Sequence, residues 1–185
     1  MRLFVAIDIS EKLRSAIDRL QHKLKDRMKN ESGIKWVNPE LMHLTLKFLG
    51  EAEESKIEDI NQAVESACRD KEPFEFAFST VGTFGRPARV LWLGSEKQNL
   101  NLAKLAADIE NALEDLDFEK EQRDFNAHLT LARIKSHSLG KTLQSVLNDF
   151  SKIDLPTVSA DSVCMYKSQL TPTGPVYTLL KKFEL

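Results

Sequence analysis

At 185 residues, with 42% apolar and 29% charged side chains, the chain is long enough to bury a sizeable core and has the make-up of an ordinary globular protein. Its 26 basic and 28 acidic residues leave a formal net charge of −2, which argues against a surface built to grip long nucleic acid; any such partner would be met locally, at one end. No apolar run approaches the ~20 residues that span a bilayer, and the opening MRLFVAIDIS is interrupted too early by Asp8 to serve as a secretory signal. Cys68 and Cys164 lie far apart, outside any CxxC pair, and read as small core residues of a reducing compartment, so a cytoplasmic protein with no membrane partner is expected.

In chain order, RLFVAID (2–8) reads as an apolar strand. Residues 11–28 follow as a helix, with Leu13, Ile17, Leu20, Leu24 and Met28 on one stripe and Ser10 as N-cap. NESG (30–33) turns the chain, IKWV (34–37) is a short strand ended by Asn38-Pro39, and 42–49 is a stronger strand. A second helix covers about 53–69. FEFAFSTV (74–81) alternates aromatic residues and pairs as a hairpin with RVLWLG (89–94) across Gly82, Gly85 and Pro87. A helix over 97–116, a strand over 127–134, a helix over 139–150 and strands over 157–167 and 176–184 complete the chain, the last two joined by TPTGP. The fold class is α+β, in two similar lobes around a shared cleft, mainly antiparallel sheets flanked by helices.

One phrase is written twice: HLTL at 43–46 and again at 128–131, taking two of the four histidines. On a strand, residues i and i+2 share a face. Each copy therefore sets a histidine beside a threonine on one side, His43 with Thr45 and His128 with Thr130, while its leucines enter the core. Alternation of this kind is common in half-buried strands, but two His-apolar-Thr-apolar matches arise by chance in well under about 1% of chains this long. Two imidazoles can divide the labour of one displacement, one giving a proton and one taking it. A phosphodiester asks for that arrangement, because nucleophile and leaving oxygen lie roughly in line, and the threonine hydroxyls can hold the non-bridging oxygens.

Other polar residues carry less. Zinc wants three or four ligands at closed spacings, and HxxxH, HxH and CxxC are all missing from the sequence; no metal and no cofactor is expected. Lys47 shares the face of His43 and Thr45 if the strand stays regular, whereas Arg133 falls on the face opposite His128 unless a bulge turns it. His22 is expected in solvent and His137, in KSHS, in a loop. Trp36 and Trp92 could stack a base but fit buried packing better. A catalytically inert RNA-binding module would show affinity without turnover, and an enzyme acting on small cyclic nucleotides would separate from one acting on RNA ends in a substrate panel.

Two HxTx motifs on strands of two halves resemble the two-histidine (2H) phosphoesterase superfamily. RLFVAID, HLTLKFLG, VGTFGRPARVLWLG, HLTLARI and YKSQLTPTGPVYTLLKKFEL look like its RNA 2′,3′-cyclic phosphodiesterase branch, formerly named 2′-5′ RNA ligase, over essentially the whole chain. Ala127 stands where that branch often has proline. The resemblance implies one domain over 1–185, bilobal, each lobe giving one HxTx strand (43–46 and 128–131), and metal-free opening of a terminal 2′,3′-cyclic phosphate to a 2′-phosphomonoester. It implies His43 as proton donor, His128 as proton acceptor, and Thr45 and Thr130 on the phosphate; spacing alone leaves open which histidine does which. It further implies short RNA ends, tRNA-like or other, as substrate, a monomer, and a possible reverse 2′-5′ ligation.

Overall fold

The computed structural model describes all residues except Asn30, His137, Ser138 and Thr173. The expected loop position of His137, and one residue each of the NESG and TPTGP turns, thus lie outside the described residues.

Four strands form one antiparallel sheet, here sheet A, in the order β10 (Gly174–Glu184), β9 (Ser162–Thr171), β1 (Arg2–Asp8), β3 (His43–Glu51). A second four-stranded antiparallel sheet, sheet B, runs β2 (Ile34–Trp36), β7 (His128–Ile134), β6 (Val90–Gly94), β5 (Thr80–Phe84). The lobes are interlaced in sequence: β2 comes from the first half yet belongs to sheet B, and β9 and β10 come from the second half yet belong to sheet A. Each sheet holds one HLTL strand, and the two, β3 and β7, lie against one another. This is the α+β architecture of antiparallel sheets and helices expected from the alternation of strand and helix patterns, with a further two-stranded sheet beside the two large ones.

Helix α1 (Glu11–Arg27) starts where the Ser10 side chain accepts from the Leu13 amide at 3.3 Å, and it buries Leu13, Ile17, Leu20 and Leu24. Among these sits Gln21, only 1% exposed, whose Nε2 donates to the carbonyls of Val37 (2.8 Å) and Leu131 (3.0 Å), tying α1 to the edge of sheet B. Helices α2 (Ile57–Cys68) and α3 (Leu100–Glu114) pack on each other, and α4 (Gly140–Asp149) buries Leu143 and Val146. The core faces of the sheets bring in Leu3, Val5 and Ile7 from β1 and Leu91 and Leu93 from β6, all at most 1% exposed.

Two expected strands divide. Residues 74–81 split into β4 (Phe74–Phe76), which pairs with β8 (Val158–Ala160), and β5, which forms the hairpin with β6. Ser79 explains the break: its amide bonds the Gly94 carbonyl (2.8 Å) and its carbonyl takes the Ile153 amide (2.8 Å), so the chain passes from one partner strand to another there. Residues 157–167 divide likewise into β8 and β9.

Candidate active site

Each motif strand carries a β-bulge at the same point. In β3, Ala6 pairs with Thr45 and Val5 with Lys47, so Leu46 is extra; in β7, Trp92 pairs with Thr130 and Leu91 with Ala132, so Leu131 is extra. One extra residue reverses the alternation beyond it. The leucine and the residue after it both turn inward, and the next one turns out toward the histidine-bearing face. The carbonyl of Leu131 is satisfied by the Val37 amide (3.0 Å) and by Gln21.

This corrects two readings of the regular strand. Lys47 does not share the face of His43: it is 5% exposed, and its ammonium bonds Glu110 and the Glu119 carbonyl on the core side. Arg133 does share the face of His128 and Thr130, and its charge lowers the pKa of Tyr177, which burial raises, across the cleft in sheet A. Tyr177 in turn stands edge-on to the His43 ring, centroids 5.1 Å apart. The charge on the His128 face is thus felt beside the His43 ring, where β3 lies against β7.

The histidines are held in parallel ways. His128 Nδ1 lies 2.8 Å from the Asn126 carbonyl; a carbonyl only accepts, so Nδ1 carries a proton and Nε2 of the neutral ring keeps its lone pair free. The edge of Phe84 meets this ring at 4.9 Å. His43 faces the carbonyl of Leu41, also two residues upstream, which favours its protonated form. Arg14 fixes that approach by donating to the carbonyls of Ile9 (3.2 Å), Pro39 (3.3 Å) and Glu40. The His43 ring stacks on Phe4 at 4.5 Å and is directly paired with Asp8 across β1. Thr45 and Thr130 are half-buried, and their hydroxyls make no hydrogen bond to any described residue, so both can serve an anion.

Burial pulls the His43 pKa down to about 4, against the opposing pull of Asp8 and the Leu41 carbonyl, with the Arg14 charge lowering it further. Its ordinary value is 6.5, so between the two the unfolded chain binds more protons than the folded one. The stability this ring allows is complete above pH 6.5 and falls away down to about pH 4, by about 3 kcal/mol in all. In urea titrations at pH 7 and pH 4, wild type should lose about 3 kcal/mol more than His43→Gln; equal losses would contradict the cause given.

Asp8, Tyr166 and Tyr177 were not legible as site residues. Tyr166 Oη donates to Asp8 at 2.8 Å, and the Cys164 thiol lies 3.8 Å from the same carboxylate, so Asp8 is held beside His43 by the far side of the sheet. The Asp8 signal was faint but present: a polar residue closing an apolar strand. Cys68 and Cys164 are buried, and desolvation pushes their thiols up to about 12 and about 11, which keeps both protonated, as small core residues should be. His22 lies in solvent, its Nδ1 2.8 Å from the Asp18 carbonyl. Trp36 is half-buried with Lys25 over its ring at 5.3 Å. Trp92 lies flat on the cleft side of sheet B, where a Cβ on Gly82 would come within 2.2 Å of the indole. Among the described residues no group of three His, Cys, Asp or Glu could hold a metal ion, and no helix is long and apolar enough to cross a membrane.

The family model for LigT-like phosphoesterases matches the chain twice, over residues 7–92 and 93–177, one motif in each stretch. The chain belongs to the LigT-like phosphoesterase family. Among its relatives, the RNA 2′,3′-cyclic phosphodiesterase of Methanocaldococcus jannaschii is 36% identical over 99% of this chain and 100% of its own. The Thermotoga maritima protein of the same name is 37% identical over 97% and 93%. Of solved structures, a Thermus thermophilus protein superposes with a TM-score of 0.78 at 28% identity, covering 100% of this chain and 98% of that one. Escherichia coli LigT in complex with 3′-AMP gives 0.76 at 25% identity over 100% and 97%. This LigT-like phosphoesterase is thus an enzyme whose two matched stretches coincide with the two motif-bearing halves of its sequence.

Proposed function

We propose that the chain, one domain of two lobes over residues 1–185, hydrolyses 2′,3′-cyclic phosphate ends of RNA to 2′-phosphomonoesters. What supports this reading is that β3 and β7, each bearing a His–Thr face, lie against one another, and that the Arg133 charge on the His128 face reaches Tyr177 beside the His43 ring. The guanidinium and the two free threonine hydroxyls take the non-bridging oxygens of the phosphate. His128 Nε2 removes a proton from water, the oxygen attacks phosphorus, the P–O3′ bond breaks in line, and His43 delivers a proton to the departing 3′ oxygen. With a 5′ hydroxyl in place of water, the same displacement forms a P–O5′ bond, breaks P–O3′ and leaves a 2′-5′ linkage, His128 taking the hydroxyl proton and His43 protonating the 3′ oxygen. Both proton transfers are supplied by the chain, which is the basis for a metal-independent reaction. The relatives' name and the small net charge support an RNA end as substrate; that the end is short, tRNA-like or other, and is met by a monomer in the cytoplasm is part of the same proposal.

In the free protein His43 is neutral at pH 7. A phosphodiester arriving beside it brings negative charge and raises its pKa, so the ring takes up its proton together with substrate. The same low value favours a second reading, in which His43 is the base and His128 the acid. Product analysis on an RNA with a 2′,3′-cyclic end tests the reaction, with a 2′-phosphate expected; a 3′-phosphate, or an intact ring, would refute it. An analogue with sulfur at the 3′ leaving position needs no proton there. The variant lacking the acid should regain most of its rate on it, and the recovery should belong to His43→Ala.

A further inference from the structure

The bulge at Leu46 has a second product. The residue it turns outward, the counterpart of Arg133, is Phe48, which pairs with Phe4 on the cleft side of sheet A and is 71% exposed. A large side chain aimed into water by the same device that aims Arg133 at the cleft needs an occupant.

It does not stand alone. Phe4 is 1% exposed beneath a ring of aromatic groups: His43 at 4.5 Å, Tyr177 at 5.1 Å, Tyr166 at 5.4 Å and Phe48 at 6.0 Å. Along β9, Leu170 shares the face of Tyr166, and along β10, Leu179, paired with Tyr166, shares the face of Tyr177. Leu170 is 71% exposed and Leu179 50%. On this face apolar and aromatic groups extend from the His43 ring across four strands toward the β9–β10 hairpin, with the paired Arg2 and Ser168 set between Phe4 and Tyr166 on one side and Leu170 on the other.

We propose that this surface receives the bases of the nucleotides upstream of the reacting end. The inference rests on the RNA-end reading above. Continuity supports it, since a chain whose terminal phosphate sits at His43 must leave the cleft over one wall, and this wall offers flat and apolar groups. Charge supports it as well. With a net charge of −2 the protein has no excess of cations for a phosphate track. Stacking is the remaining source of grip on a single strand, is worth about 5- to 150-fold per base, and tolerates any sequence because every base has a π-face.

Binding tests this without turnover. Affinities of a tetraribonucleotide and a mononucleotide, both ending in a 2′-phosphate, are measured by calorimetry for wild type, for Phe48→Ala/Leu170→Ala and for Phe48→Trp. Wild type should bind the tetranucleotide at least 10-fold more tightly. The double variant should lose that advantage, Phe48→Trp should keep it, and a tetranucleotide with abasic upstream positions should not gain it. An advantage absent from wild type, or surviving the double substitution, overturns the proposal. So does a concentration-dependent dimer in sedimentation that Leu170→Glu abolishes, since the surface would then serve a second copy of the chain. Length-dependent binding without hydrolysis of any cyclic end would leave the platform standing and refute only the catalytic reading.

Discussion

Replacing either histidine of the repeated phrase by alanine should lower kcat/KM on a cyclic-phosphate end by about 10²- to 10⁴-fold while the melting temperature at pH 7 stays near that of wild type. The two rings sit on different sheets and are oriented by different carbonyls, at Leu41 and Asn126, so neither can substitute for the other. They nevertheless act in one displacement. The double variant should accordingly be little worse than the weaker single one, because a step that has lost its acid gains little from keeping its base. Thr45→Ala and Thr130→Ala should cost less, since each removes one neutral donor to the phosphate and leaves the proton path whole. A folded His43→Ala or His128→Ala protein with normal rate would remove the two-histidine mechanism altogether.

Lys47→Ala should do the reverse: destabilise by about 3 kcal/mol or more and leave the rate per folded molecule nearly unchanged. The lysine side chain is 5% exposed, that of its partner Glu110 17%, and the same Glu110 oxygen also takes the Glu121 amide at 2.8 Å. Removing the lysine strands a carboxylate in a dry place and frees the loop around Glu119. The cost is therefore the unpaired charge more than the lost bond, and Lys47→Met combined with Glu110→Leu should recover most of it. Urea unfolding with activity assayed below the transition separates the two effects. A rate loss larger than the stability loss accounts for would return Lys47 to the phosphate.

How far the sequence reads ahead is clearest at these two positions. Alternation placed His43, Thr45, His128 and Thr130 on one side of their strands and the leucines on the other, and strand geometry needed nothing more. It stopped at Lys47 and Arg133, whose sides hung on whether the strands stayed regular, because a bulge is a property of two strands counted against each other. The numbers of residues between pairing positions on β1 and β3, or on β6 and β7, are not written in either strand alone. A trace existed in LTLK and LTLA, where two inward residues follow in succession, but regular and bulged strands both accommodate that. Asp8, Tyr166 and Tyr177 were out of reach for a simpler reason: more than 150 positions separate the first two, and only sheet order makes them neighbours. The single strand expected over 74–81 breaks at Ser79, where hydrogen bonds to two separate elements outweigh continuous β propensity, while β5 keeps the expected hairpin with β6.

The interlacing of the sheets has a consequence for how the protein is made. Sheet A is closed by β9 and β10, which follow both motif strands in the chain, and they bring Tyr166 to Asp8 and Tyr177 to the His43 ring. Both imidazoles emerge well before that wall exists. A nascent chain thus carries both imidazoles before it has a pocket to use them in, and competence waits for the β9–β10 hairpin.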